Sequence, residues 1–401
     1  MAKTVSINLA TLSGFDNVSA GTHTLKLKAK AQNIISSDLS AGVSYTKPSY
    51  LAFKNVSDIA GNFSASITSS SISPNLEYSF DQITWTTYTP KVSDLDYVSV
   101  EPNRTIYLRG TNPNGISTSS DQLILNFDQY CEISGHIMTL ISPNDDVLTI
   151  PNSYCFYKLY QGICAIRMNR DNLNAVGLKQ NCYWSLFSSN TASFVDDIEL
   201  DMPITATEAS CCQDMFRGIS TNVIVNLPNL ININGTDALS FIQQTGQLTL
   251  NFSKNLSSIG NGTYYGWTYF PTVVNLRLPF DDNDTINFDV SNVVGSAGVK
   301  SSYVANVYTD NTSIANAVVL KRNEYTTVNV YHLDGTSWEL QKLDAPYIAL
   351  NNSTLNILSV LHAEQYEIYK KEGSSGSYTL RMTTSSTSVN ISSLIRSEDV
   401  V

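Results

Sequence analysis

Charged residues are scarce in this chain. They make up 15% of the 401 residues, and 24 Lys and Arg stand against 35 Asp and Glu, which gives a formal net charge of −11. Because no excess of positive charge is available to displace counterions from phosphates, the composition argues against nucleic acid as a partner. No run of about 18 apolar residues occurs either, so the sequence predicts no membrane-spanning segment.

The sequence also lacks the short motifs that mark common catalytic sites. It contains no Gly-x-Ser-x-Gly nucleophile elbow, no His-Glu-x-x-His zinc helix and no Gly-x-x-x-x-Gly-Lys phosphate loop. Asp and Glu are numerous, but no spacing singles out a pair that could act across a cleft in glycoside hydrolysis. We therefore predict a protein that is not an enzyme and has no catalytic residues.

A secretion leader is absent from the first residues. Residues 1–9 alternate between apolar and polar side chains, as a strand does, and lack the continuous apolar core of a signal peptide. An exported protein would need such a leader. We therefore expect a chain that is made and assembled in a cytoplasm.

Metal-ligating patterns are weak. The densest acidic run, residues 281–284, suggests calcium, but Ile286 stands where an EF-hand loop needs Gly and Asn292 where it needs the bidentate Glu. A solvated turn is the better interpretation there and at residues 144–146. The four histidines are scattered and no Cys-x-x-Cys pair exists. We expect no metal and no cofactor.

What the sequence does contain is an internal repeat between about residues 150 and 280. In each unit a Cys is followed four residues later by Leu or Met. An aromatic residue or a second Cys comes directly after each of these two residues, and an alternating strand follows. The repeated positions are Cys155 with Leu159, Cys182 with Leu186, and Cys211 with Met215. A unit of about 25 to 32 residues cannot bury its apolar side alone, so successive units must stack as a solenoid.

The strands that follow each motif supply the second set of core positions. Their first inward residues are predicted to be Ile166, Ile198, Val223, Leu248 and Val274. Few windows have the period of a helix, and Ser, Thr, Asn and Tyr are abundant. The predicted fold class is therefore mostly β.

The cysteines support the same stacking. Five of the six fall inside the repeat region, and Cys155, Cys182 and Cys211 occupy equivalent positions. We interpret these three as a buried ladder of unpaired thiols, because free Cys is among the most buried residue types. Disulfide pairing is the alternative interpretation.

Strand-rich segments flank the repeats. Alternation is clearest in residues 24–30 near the start and in residues 366–369 near the end. Trp85, in the segment between the start and the repeats, is interpreted as a core anchor, and a platform for a ligand is the alternative interpretation. Residues 318–320 and 327–331 are interpreted as capping strands of the solenoid. The predicted domains are 1–48, 49–128, 129–340 and 341–401.

One exposed aromatic cluster is a candidate contact surface. It consists of Tyr264, Tyr265, Trp267 and Tyr269. Aromatic rings can stack on sugar faces, so the functional interpretation is contact with carbohydrate or with another surface. The alternative interpretation is a core cluster beneath a loop.

Three resemblances follow from these segments. Residues 346–394, with 364–369 as the third strand, resemble the first strands of a fibronectin type III or bacterial immunoglobulin-like domain, and residues 19–46 resemble the final strands of the same domain type. The middle resembles the BspA-like leucine-rich repeats, in which a Cys-aromatic step and a Leu/Met-Phe step precede a short strand. Residues 238–242 keep that spacing without the cysteine.

The segment before the repeats adds a functional expectation. Residues 78–80, 85–88 and 107–110, placed ahead of such repeats, are similar to virion structural proteins of tailed phages of gut bacteria, including the crAss-like group. The resemblance implies a virion fibre or capsid-decorating protein whose partners are other virion proteins or further copies of itself, and in some cases a host glycan or protein. The alternative is a bacterial cell-surface adhesin.

The two terminal segments look like parts of one sandwich. We predict that strands near residues 25–27 and 43–45 complete the open sheet edge of residues 346–401, within one chain or between copies, by strand addition. Deleting residues 1–47 should then remove hydrogen-exchange protection from residues 346–401. Full protection of that segment in the deletion variant would contradict this prediction.

Overall fold

The computed structural model describes residues 21–26, 43–93, 95–187, 194–217, 219–239, 241, 246–260, 273–289, 304–320, 327–334, 337–340, 348–351, 354–357, 366–371, 378–386 and 388–390. The protein is mostly β. It divides into two compact units, residues 1–329 and 330–401. No helix in the described part of the chain is long and apolar enough to cross a membrane.

The first unit begins with an antiparallel hairpin of β1 (Gly21–Leu25) and β2 (Val43–Lys47). A sheet of eight strands follows. Its strands are β3 (Leu51–Asn55), β4 (Gly61–Ile67), β5 (Leu76–Ser79), β6 (Thr86–Tyr88), β7 (Val98–Val100), β8 (Thr105–Gly110), β9 (Leu123–Ser134) and β10 (Gly162–Met168). The first seven pair antiparallel in the order β6-β5-β8-β3-β9-β4-β7, and β10 lies parallel to β9.

Strand β9 joins this sheet to the repeat region that follows it in the chain. Its first half pairs with β4, its second half with β3, and β10 runs parallel to both halves. A terminal coil of a solenoid needs a neighbour that covers its apolar end, and β9 supplies one. The predicted domain boundary between residues 128 and 129 therefore falls inside a strand that both regions share.

The repeats form a β-solenoid-like region. Five strands lie parallel and side by side in chain order: β11 (Ile198–Asp201), β12 (Val223–Asn226), β14 (Gln247–Asn251), β16 (Val273–Asp281) and β17 (Val304–Asp310). A second, shorter parallel ladder pairs β13 (Asn232–Ile233) with β15 (Ser258–Ile259). Two successive coils therefore contribute a strand to each of two ladders.

The strand register matches the spacing of the repeat from β11 onward. Ile198 pairs with Val223, Val223 with Leu248, and Leu248 with Val274, and all four side chains are buried. Ile166 is the exception, because it is only half-buried. The pairing of β10 with β9 shifts register twice, and this changes which side chains face inward: Ile163, Ala165 and Met168 are the buried residues of β10.

Residues 318–320 are not the strand that their apolar, β-branched character suggested. They end the helix α1 (Thr312–Leu320). The Asn311 side chain accepts a hydrogen bond from the Ile314 backbone N–H at 3.0 Å, which is the usual N-cap arrangement. The Asn311 cap and the burial of Ile314 outweigh the strand preference of the run. Residues 327–331 do lie in a strand, β18 (Thr327–Asp334).

The second unit contains antiparallel pairings throughout its described residues. The end of β18 pairs with β19 (Ser337–Leu340). The remaining strands are β20 (Ile348–Asn351), β21 (Thr354–Ile357), β22 (Tyr366–Lys371), β23 (Tyr378–Thr384) and β24 (Ser388–Asn390). β20, β21 and β24 form one sheet, and β22 pairs with β23. The strand predicted at 366–369 lies in β22.

Candidate functional site

Each copy of the Cys motif folds as a pair of tight turns. The residue before the Cys and the residue before the Leu or Met both have a positive φ. These residues are Tyr154 and Lys158 in the first copy (63° and 59°), Asn181 and Ser185 in the second (56° and 52°), and Ser210 and Asp214 in the third (52° and 53°). Asp237, at 56°, opens a fourth copy in which Ala238 replaces the Cys. The repeat therefore specifies a backbone shape as well as a core.

Backbone hydrogen bonds lock the turns of successive copies together. The N–H of Phe156 donates to the carbonyl of Cys182 at 2.9 Å, and the N–H of Tyr183 donates to the carbonyl of Cys211 at 2.8 Å. Between these links the N–H groups bond within their own turn, as Leu159 does to Phe156 at 3.2 Å. This alternation satisfies buried backbone donors and fixes the distance between coils.

The cysteines form a column inside the turn stack. Cys155, Cys182 and Cys211 are fully buried, and no disulfide joins any of the six cysteines, all of which are described. The Cys211 Sγ lies 3.3 Å from the carbonyl oxygen of Ala238, and the Cys182 Sγ lies 3.8 Å from that of Cys211. Burial raises the pKa of Cys155 to about 12. Burial also raises the pKa of Cys182, so the thiols of Cys155 and Cys182 are neutral. Leu159, Leu186 and Met215 are buried beside it.

A second column consists of aromatic rings. Tyr160 stacks on Phe187 with ring centroids 5.2 Å apart, Phe187 stacks on Phe216 at 5.7 Å, and Phe216 contacts Phe241 at 5.5 Å. Phe53 of β3 touches Tyr160 edge-on at 6.3 Å. We call these five residues the aromatic column, and they connect the eight-stranded sheet to four successive turns.

Three aromatic side chains lie half-buried on the outside of the first two turns. The rings of Tyr157 and Trp184 stack with centroids 4.9 Å apart and planes 19° apart. Tyr154 lies 5.9 Å from Tyr157 and 6.0 Å from Trp184. The Lys158 ammonium sits 4.9 Å above the Tyr157 ring. We call Tyr154, Tyr157, Lys158 and Trp184 the turn cluster.

Trp85 is not a core anchor. It is half-buried on the outer face of the eight-stranded sheet, where its ring contacts Tyr50 at 4.7 Å and the Arg109 guanidinium at 4.1 Å. Arg109 also donates to the Glu77 carboxylate at 2.6 Å. The fixed alternation of β8 puts Ile106 and Leu108 in the core and Arg109 on the opposite face, so Trp85 packs against a surface residue.

His136 is the most perturbed histidine of the described region. Its Nδ1 lies 2.5 Å from an Asp145 carboxylate oxygen, and its Nε2 lies 3.4 Å from Asp171. Asn174 donates to the second Asp145 oxygen at 3.0 Å. Burial alone would lower the pKa of His136, but the hydrogen bonds to Asp145 and Asp171 outweigh it and raise the pKa to about 9. Asp145, predicted to lie in a solvated turn, is therefore an ion-pair partner.

This arrangement predicts a stability that falls at alkaline pH. The folded-state pKa of His136 exceeds its unfolded value, so its contribution is complete below about pH 6.5 and is lost as the pH rises through 9. We expect the free energy of unfolding to drop by roughly 1–3 kcal/mol across that window. Urea titrations at several pH values measure it. His136→Gln should abolish the drop, and an unchanged pH profile in that variant would contradict the assignment.

The acidic run at residues 281–284 is used for structural contacts. Asp282 accepts hydrogen bonds from the backbone and side chain of Thr312 at the start of α1, at 2.6 and 2.7 Å. Asp284 pairs with Lys254 at 2.9 Å. Among the residues that the structure describes, no group of three His, Cys, Asp or Glu side chains could hold a metal ion.

The candidate contact residues from the sequence have no structural test. Tyr264, Tyr265, Trp267 and Tyr269 lie outside the described residues. The turn cluster was missed. Its signal was available in the repeat, because the first copy carries Tyr and Lys at positions where later copies carry Asn, Ser or Asp.

Comparison with known proteins gave no match to any protein family, curated protein or solved structure.

Proposed function

We propose that this chain is a non-enzymatic structural component of a virion, a fibre or capsid-decorating protein that takes part in attachment. The observation that carries the proposal is the continuous stack of coils. Backbone hydrogen bonds and the aromatic column join the turns to one another and to the eight-stranded sheet through Phe53 and Tyr160. Such a stack has a fixed rise and displays side chains at regular intervals, which suits a scaffold.

The polar surface of the solenoid supports the same proposal. The Asn226 side chain donates to Asp201 at 2.6 Å, and the Asn251 side chain donates to Asn226 at 2.5 Å. A second row of side-chain amides runs from Asn275 through Asn306 to Asn329, with hydrogen bonds of 2.8 and 2.9 Å. These amides bond across neighbouring coils. They act as structural links rather than converging around a substrate.

The domain types are part of the proposal. The Cys turn followed by a short parallel strand supports a BspA-like leucine-rich repeat. The hairpin of β1 and β2, together with the antiparallel sheets formed by β20 to β24, supports immunoglobulin-like or fibronectin-like flanking segments. In this arrangement the flanking segments contact other virion proteins or further copies of the chain, and the solenoid carries the displayed surface.

Fractionation of the organism or virus that encodes the chain tests the proposal. Lysates are banded on a density gradient, and the chain is quantified by mass spectrometry in each fraction relative to the major capsid protein. A constant ratio across the particle band, retained after high-salt washing, is the expected result. Recovery in the cell-envelope fraction without particles would contradict the proposal and favour the adhesin alternative.

A further inference from the structure

The copies of the Cys motif can be compared with one another at their two turn positions. The three copies that contain the Cys have a positive φ at both turn positions, and the fourth copy has it at the first. The later copies fill these positions with short polar side chains: Asn181, Ser185, Ser210, Asp214 and Asp237. The first copy uses Tyr154 and Lys158. Asn and Asp tolerate the left-handed region best, because their side chains bond locally to the backbone.

Tyr154 and Lys158 are therefore costly choices at their positions. A bulky side chain in the left-handed region crowds the following carbonyl, and such strain persists where the surroundings enforce it. The first copy carries this strain twice within one double turn. Both strained side chains belong to the turn cluster, the half-buried aromatic group of the solenoid's first two turns.

Tyr154 stands at an angle to the other two rings of the cluster. Tyr157 and Trp184 stack face to face, so each covers one face of the other. Tyr154 lies almost equally far from both rings, at 5.9 and 6.0 Å, and its plane is inclined by 66° and 48° to theirs. Tyr154 is therefore inclined to the stacked pair instead of continuing the stack, and its side chain is half-buried.

Polar groups belong to the cluster or contact it. The phenolic hydroxyl groups and the Lys158 ammonium can donate hydrogen bonds. The Trp184 indole N–H donates to Asp214 Oδ2 at 3.5 Å, and the Asp214 Oδ1 atom is buried without a hydrogen-bond partner among the described residues. The Asp214 side chain is 13% exposed. Aromatic rings beside hydrogen-bond donors suit a saccharide, which presents C–H faces and hydroxyl groups together.

We propose that the turn cluster is a glycan-binding site, with Tyr154 as the stacking platform and Lys158 as a hydrogen-bond donor to the sugar. This inference rests on the proposed function, since an attachment component needs a receptor. The proposal explains why strained residues stand at two positions where folding alone would favour Asn, Asp or Ser.

The Tyr154→Asn variant separates binding from folding. It removes the ring and restores the residue type that the second copy uses at Asn181. Ser210→Asn is the matched control, because it introduces the same residue at the equivalent position of the third copy, outside the cluster. The purified full chain is applied to immobilised oligosaccharides that contain neutral hexoses, N-acetylhexosamines or sialic acid. The melting temperature of each variant is measured in parallel.

We expect the wild type and Ser210→Asn to retain the same oligosaccharide. Tyr154→Asn should bind it about tenfold more weakly or worse, with a melting temperature that is unchanged or higher. A lower melting temperature with unchanged binding would make Tyr154 a structural residue and overturn the site. Failure of the wild type to retain any oligosaccharide would also overturn it. Both failures leave the particle fractionation result intact, so the site and the virion role are tested separately.

Discussion

Phe187→Ala is expected to lower the free energy of unfolding by about 3–5 kcal/mol, the range for a buried Phe. Phe187 is fully buried and stacks between Tyr160 at 5.2 Å and Phe216 at 5.7 Å. The backbone hydrogen bonds between turns hold these rings at a fixed spacing, so the neighbours cannot collapse into the space that the ring leaves. The substitution therefore removes the central ring of the aromatic column.

Urea unfolding followed by circular dichroism measures this effect. Hydrogen exchange adds a local readout, because stability in stacked repeats is a sum of unit and interface contributions, and the turns on either side of residue 187 should lose protection. Tyr97→Ala is the control, since that ring is 66% exposed and its removal should change the stability by about 0.5 kcal/mol or less. A loss below about 1 kcal/mol for Phe187→Ala would show that the column does not couple the coils.

The buried thiols are expected to resist modification in the native protein. Cys155, Cys182 and Cys211 are fully buried, and burial raises the pKa of Cys155 and Cys182, so the reactive thiolate is scarce and inaccessible. Each should react with an aromatic disulfide reagent on the order of a thousandfold more slowly in buffer than in denaturant, because reaction requires opening of the coil. Cys164, which is half-buried, should react first.

Alkylation followed by peptide mapping assigns the rates to individual residues. Rapid labelling of the three column cysteines in the native state would contradict the buried ladder. An equal number of reactive thiols in native and denatured protein would do the same.

A larger side chain at position 182 tests how tightly the column of cysteines packs. Cys182→Leu adds volume between Cys155 and Cys211, in coils whose spacing is fixed by backbone hydrogen bonds, and should cost on the order of 1–3 kcal/mol. Cys182→Ala is the matched smaller substitution. If Cys182→Leu is as stable as the wild type in urea, the column contains free space and the packing argument is wrong.

The repeat could be recognised in the sequence because each coil of a solenoid has nearly the same length. Every coil must return to the same sheet, so inward residues recur at nearly constant spacing and Ile198, Val223, Leu248 and Val274 align in the structure. The same reasoning failed at Ile166. Its strand pairs with β9 of the preceding sheet, and no local pattern indicates the register shifts that this pairing requires.

The candidate site was harder to predict, because it depends on departures from the repeat. Sequence patterns emphasise what copies share, whereas Tyr154 and Lys158 are informative because they differ from Asn181 and Ser185. Only the positive φ values show that the difference carries strain. Trp85 illustrates the same limit, since its apolar character suggested a core position and the alternation of β8 placed its partner Arg109 on the outer face.

By itself, the sequence determined the β character of the chain, the existence of stacked coils, and the inward positions of the Cys column and of the strands from Ile198 onward. These properties follow from local period and apolar spacing, which any stacked arrangement must satisfy. The tertiary structure decided the shared strand β9, the helix at residues 312–320, the ion pairs of His136 and the turn cluster. Each of these depends on which distant segments meet, and that is set by pairing across the fold rather than by neighbours along the chain.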